Sequence, residues 1–304
     1  MKYSNIKKSK LKNTSRIPYI HHIILFIFRE ILFFLILPLI LFPAIETNSG
    51  FYVESDVVFL NAFNMFILFL TCNSVISQKI FRYYAAILAL LDHGIINILI
   101  LKKSFIVVQA NHAHLIAYLI SISFILEALI SIYLVYINRF LSWMDTFKKL
   151  GANTKMQNAY FWRQVIHALY PYEFFVAFEQ AGSVMFPLTG ILDLLVALNG
   201  VVMVISFFQV VFTCANIYDE DVLQRKLAIF FTFLRIANIA TQIGVVIHNR
   251  GIFKQGQLFI TMIFAVNYLG VAIIVLLVLI RDMMLFGSGL KEHLKSKLQP
   301  IGLS

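Results

Sequence analysis

Eight apolar runs, each about as long as a bilayer-spanning helix, fill most of this chain, with short polar gaps between them. They cover residues 23–45, 57–76, 83–101, 115–137, 165–186, 191–217, 227–248 and 258–280. A hydrocarbon core about 30 Å thick takes about 20 residues of helix to cross, and inside lipid only helices and closed barrels satisfy their own backbone. The pattern therefore predicts an all-α fold, a polytopic transmembrane bundle of eight helices. Little chain remains for a soluble domain. Only 13% of residues are charged, where soluble domains carry about a quarter.

The gaps set the orientation. Residues 138–164, NRFLSWMDTFKKLGANTKMQNAYFWRQ, form the longest polar gap and carry Arg139, Lys148, Lys149, Lys155 and Arg163 with Asp145 as the only acid. Short basic segments beside membrane helices are retained on the cytoplasmic side. With this gap inside, alternation places both termini inside, and the outer gaps hold only Lys102, Lys103, Arg250 and Lys254 of the 25 basic residues. The expected organisation is a basic cytoplasmic arm (1–22), a membrane domain (23–280) and a cytoplasmic tail (281–304). A seven-helix alternative arises if the first run is a cleaved signal peptide ending near Ala44. Arg29 and Glu30 inside that run, the long lead-in and Phe42 near the cleavage position argue against it. Arg29 is expected to snorkel to the headgroups.

The net charge of +10 does not indicate nucleic acid, because the basic residues are spread over short gaps and two tails. Anionic lipids of the inner leaflet are the expected partner. Within the organising gap, Phe140, Trp143, Phe147 and Leu150 recur at helical spacing beside Lys148 and Lys149. The fourth helix is thus expected to continue as an amphipathic segment at the inner interface, ended by Gly151. Asn153 or Thr154 can cap the next helix, with Trp162 and Arg163 at headgroup level. Trp143, Lys148, Lys149, Lys155 and Arg163 form a candidate cytoplasmic interface for a cytosolic partner, alongside the simpler reading as an interfacial anchor.

The run KKLGANTKMQNAYFWRQV, the YPYEFFVAF that follows and FGSGLKEHL after the last helix resemble a group of fungal multi-pass membrane proteins of uncharacterised activity. The resemblance spans roughly residues 147–294. It implies a multi-pass topology and a fungal source, and it implies no activity. Where that group tends to carry Lys and Asp before the Phe run, this chain has Tyr170, Pro171 and Tyr172 followed by Glu173.

Ionisable residues at bilayer depth cost several kcal/mol unless paired, hydrated or neutralised. Counting along the runs places Asp92, Glu127, Glu173 and Arg235 near mid-membrane, as a candidate polar cluster. Thr232, Arg235, Asn238 and Gln242 fall on one stripe of the seventh helix, and Ser123, Glu127 and Ser131 on one stripe of the fourth, so each stripe must face protein or water. Arg235 paired with one carboxylate, the others protonated or hydrated, would suit a proton relay or cation site; a structural ion pair is the competing reading.

No nucleotide loop, H-E-x-x-H or G-x-S-x-G motif occurs, and His112 with His114 are too few ligands for a closed metal site. The expectation is a protein without enzymatic chemistry, cofactor or metal. A receptor-like or sensing protein leads. A proton- or cation-coupled small-solute transporter is the alternative, though the broken helices and repeats of such folds do not stand out. Single-cysteine labelling in sealed vesicles checks the orientation: cysteines at Lys148 and Lys155 should react from the same side as one at Lys2. Reaction from the opposite side overturns the topology.

Overall fold

The computed structural model describes residues 20–32, 64–76, 80–92, 94, 111–182, 192–214, 220–251 and 255–293. Among these, all regular structure is helical and no strand occurs. The helices are α1 (20–32), α2 (Asn64–Ile76), α3 (80–92), α4 (Asn111–Leu150), α5 (Thr154–Gly182), α6 (Leu192–Cys214), α7 (Val222–His248) and α8 (Gln255–Met283). Three stretches are long and apolar enough to cross a membrane: Tyr118–Ile137, Val222–His248 and Met262–Met283. The rest of the first expected run, 57–63 of the second, all of 95–110 with its outer gap, and 183–191 lie outside the described residues.

The chain divides into two compact units, residues 1–139 and 140–304. In the first, Val75, Tyr83 and Leu134 form an apolar cluster joining α2, α3 and α4. At Gly94 an added Cβ would stand 3.3 Å from the Phe124 Cβ, a tight contact that glycine avoids.

The polar gap at 138–164 is almost wholly helical. α4 continues unbroken to Leu150, and at 40 residues it rises about 60 Å, twice the thickness of a hydrocarbon core. As the spacing predicts, Gly151 ends it. Its φ of +67° is left-handed, and its N–H donates to the Phe147 carbonyl at 2.8 Å, the C-terminal turn that glycine makes cheaply. Asn153 then caps α5, its Oδ1 accepting from the Lys155 and Met156 N–H groups at 3.1 and 3.2 Å. Asp221 does the same for α7, accepting from Leu223 and Gln224.

In the second unit α5 and α7 each pack against α6 and α8. Arg163 near the start of α5, Arg225 near the start of α7, Glu220 beyond the end of α6 and Asp282 at the end of α8 share one ionic cluster. Starts and ends meeting at one place define an up-down-up-down four-helix bundle, with α5 and α7 parallel across its diagonal.

α7 has its polarity inverted relative to a soluble helix. Its buried positions are Arg225, Ala228, Thr232, Arg235, Ile239, Gln242 and Val246, an alternating three-four spacing. Phe230 and Phe233 on the other side are 54% and 58% exposed. Water would drive the opposite arrangement, since burying a Phe side chain is worth about 1.5–3 kcal/mol; lipid exerts no such force. Replacing Asn153 by alanine should cost about 1 kcal/mol, read as a lower unfolding midpoint in mixed micelles. An unchanged midpoint would show that the cap does not support α5.

Candidate functional site

Glu173 and Arg235 meet at the centre of the second unit, with side chains 1% and 0% exposed. Each lies ten residues, about 15 Å of helix, beyond an arginine of the end cluster, Arg163 on α5 and Arg225 on α7. Glu173 Oε1 accepts from Arg235 Nη1 at 3.2 Å and from Gln209 Nε2 on α6. Gln209 Nε2 also donates to Thr232 Oγ1 at 2.8 Å, whose hydroxyl donates to the Ala228 carbonyl at 2.7 Å. Three helices thus close on one carboxylate. Further along, Gln180 Nε2 donates to Gln242 Oε1 at 3.3 Å and Gln242 Nε2 to Asn238 Oδ1 at 3.0 Å. Asn238 Nδ2 donates to the Leu198 carbonyl at 3.3 Å. Every member of the α7 stripe therefore faces protein.

A small cleft of about 10 Å³, room for roughly one water, opens between α5, α6 and α8 beside Tyr170, Glu173, Thr213, Val275 and Leu279. Its walls are mostly apolar, with Glu173 as the charged group. Ile166, Ala228, Val275, Val278 and Leu279 make an apolar layer between the central pair and the end cluster.

Glu127 has its own partners in the first unit. Its Oε2 accepts from Arg29 Nη1 at 2.5 Å and its Oε1 meets His22 Nδ1 at 2.9 Å. Arg29 Nε donates to Asn64 Oδ1 at 2.6 Å, and Asn64 Nδ2 to Glu30 Oε1 at 2.5 Å. The Arg29 guanidinium lies over the Phe124 ring at 4.4 Å. Arg29 does not snorkel; it is 0% exposed, because an intramembrane carboxylate offers more than distant headgroups do. Ser123 and Ser131 are buried beside Glu127 on the same stripe. Asp92 is half-buried on α3.

Of the candidate interface residues, Lys155 is exposed. The side chains of Trp143, Lys148 and Lys149 lie outside the described residues, as do those of His112 and His114. Arg163 is corrected from an interfacial residue to a buried one. It is 0% exposed, with Nη2 donating to Glu220 Oε1 at 2.6 Å and Nε 3.4 Å from Asp282 Oδ1. Arg225 Nε stands 3.0 Å from Asp282 Oδ2. The acids of two other segments supply what its own gap lacks.

The residues that sequence reasoning missed had readable signals. Ser206, Gln209 and Thr213 make a three-four polar stripe in an otherwise apolar run, and all three are buried. His22 and Arg29 are seven apart, two helical turns on one face. No protein-family model, curated protein or solved structure matches the chain.

A pair this buried is expensive to break and cheap to replace. Arg235→Met alone should destabilise by about 3 kcal/mol or more, while adding Glu173→Leu should recover most of that loss, measured by unfolding in mixed micelles. A double variant as unstable as the summed singles would show that the pair is not coupled.

Proposed function

We propose that this chain is a multi-pass membrane protein of eight spans, with both ends in the cytosol, working as a receptor-like or sensing protein without enzymatic chemistry. The observation that carries this reading is the Glu173–Arg235 contact, which joins α5 to α7 across the diagonal of a bundle whose outer face is phenylalanine and aliphatic. Such a contact has two discrete arrangements, paired or parted, and a ligand or lipid that prefers one of them shifts the population of both helices.

The starts of α5 and α7 carry that shift to the basic 138–164 segment, the proposed site for a cytosolic partner. Its lysines and the basic arm are proposed to lie against anionic inner-leaflet lipids; nucleic acid is not a proposed partner. The kinship proposed is with the fungal multi-pass proteins that residues 147–294 resemble. Retention of the first run as a membrane helix is favoured because Arg29 within it pairs with Glu127, with His22 hydrogen-bonded to the same carboxylate.

A proton- or cation-coupled transporter is the second reading, favoured by the cleft that has Glu173 in its wall. Against it stand the closed pairings of Glu127 and Glu173, since a coupling carboxylate must be free to exchange its cation. The two readings separate in one experiment on protein reconstituted into pyranine-loaded liposomes. On the sensing reading, proton uptake after a pH step equals that of empty vesicles for both wild type and Glu173→Gln. The distance between spin labels at Lys155 and Leu223 nevertheless shifts in the variant. Uptake above background that Glu173→Gln abolishes would sink the sensing proposal.

A further inference from the structure

The chain beyond α8 does not leave the second unit; it folds back across the bundle's end. The Met284, Leu285 and Phe286 N–H groups still bond to Ile280, Asp282 and Met283 carbonyls at 3.0, 3.0 and 3.2 Å. Gly287 and Gly289, with φ of +77° and +81°, then turn the backbone through left-handed conformations that glycine tolerates without strain. The turn seats Leu290, 0% exposed, against Leu150 at the end of α4 and Ala159 near the start of α5, with Tyr160 and Leu285 packed around it. A single helical turn follows, its His293 N–H donating to the Gly289 carbonyl at 3.1 Å.

Two polar contacts hold this return in place. Asp282 stands between Arg163 and Arg225, and both guanidinium groups lie over the Phe286 ring at 5.5 and 6.0 Å. The Glu220 carboxylate bridges two segments, Oε1 accepting from Arg163 and Oε2 from the Gly287 N–H at 3.0 Å. Glu220 is also the one non-glycine residue with positive φ among those described, at +48°. A glutamate has no intrinsic reason to adopt that conformation, and such strain persists only where surrounding contacts over-determine it. The bridge that closes the segment is the contact that holds the strain.

We propose that residues 284–293 form a clasp over this end of the second unit, opening as one piece and released through Glu220. When the carboxylate loses Arg163 and the Gly287 N–H, the link before α7 relaxes from its left-handed turn. Leu290 then leaves its seat, and the Arg163 and Arg225 guanidinium groups and the apolar seat between α4 and α5 become accessible together. The clasp is independent of what the bundle senses or carries, because it rests only on contacts at its end.

Hydrogen exchange on the full chain in lipid nanodiscs tests this. Glu220→Ala and Leu290→Ala should each raise exchange across 285–293 by about tenfold, leaving peptides around Glu173 and Arg235 as protected as in wild type. Glu220→Gly removes the bridge and the strain together, so its exchange should fall between wild type and Glu220→Ala. The proposal is overturned if wild-type 285–293 exchanges like free peptide, if neither alanine variant changes it, or if both lose protection in the whole bundle at once.

Discussion

A charged group in a low-dielectric interior is tolerated only where another group of the chain answers it, and the arrangement of the second unit follows from that requirement. The Glu173–Arg235 pair sets α5 and α7 at one level, and the end cluster of Arg163, Arg225 and Asp282 makes them parallel, with α6 and α8 running the other way between them. Gln209 completes the closure from α6, binding both Glu173 and Thr232. Hydrophobic burial cannot supply this specificity, because an exposed Phe233 loses little against lipid tails. Interhelical hydrogen bonds in membranes average about 0.6 kcal/mol, so it is their shared geometry, more than their sum, that selects one packing over others.

The polar contacts between α5 and α7 repeat at one sequence offset. Glu173 and Arg235 are 62 residues apart, as are Gln180 and Gln242, and Arg163 with Arg225 and Glu220 with Asp282 stand at the same separation. Two hairpins of equal length, α5 with α6 and α7 with α8, would give this correspondence of levels. Two of the four pairs are identical and a third is acidic in both members. Each hairpin has an arginine in its first turns, an ionisable group at mid-height, a glutamine higher up, and an acid at or just beyond the end of its second helix. The central pair alone differs in sign, which lets the two halves attract where a faithful copy would repel. A search for similarity along the chain passes over such a period, since it rests on a few polar positions among interchangeable apolar ones.

The same contrast explains how far the sequence could be read. Helix positions were legible because apolar runs and the Gly151 and Asn153 signals are local, and the α7 and α4 stripes were legible because a polar residue in lipid must turn inward. Partner choice was not local. Glu127 meets Arg29 and His22, about a hundred residues earlier; the seven-residue spacing puts those two on one face of α1, but it does not say which carboxylate they would face. Arg163 misled for a related reason. Beside Trp162 in a basic gap it has the signature of an interfacial anchor, and only the arrival of Glu220 and Asp282 from two other segments makes burial affordable. The FGSGLKEHL stretch read as part of a tail because it follows the last apolar run, whereas its two glycines permit the turn that seats Leu290.

The apolar layer of Ile166, Ala228, Val275, Val278 and Leu279 decides how the central pair and the end cluster can influence each other. Roughly 15 Å of helix separates them, and the side chains of this layer are apolar. α5 and α7 are continuous through that distance and carry a residue of both centres. A tilt or slide of either helix that lengthens the Glu173–Arg235 contact therefore moves Arg163 or Arg225 against Asp282 as well. Communication through a helix needs no solvent path, and α7 is the stiffer of the two, since Pro171 interrupts the hydrogen-bond ladder of α5 between Arg163 and Glu173.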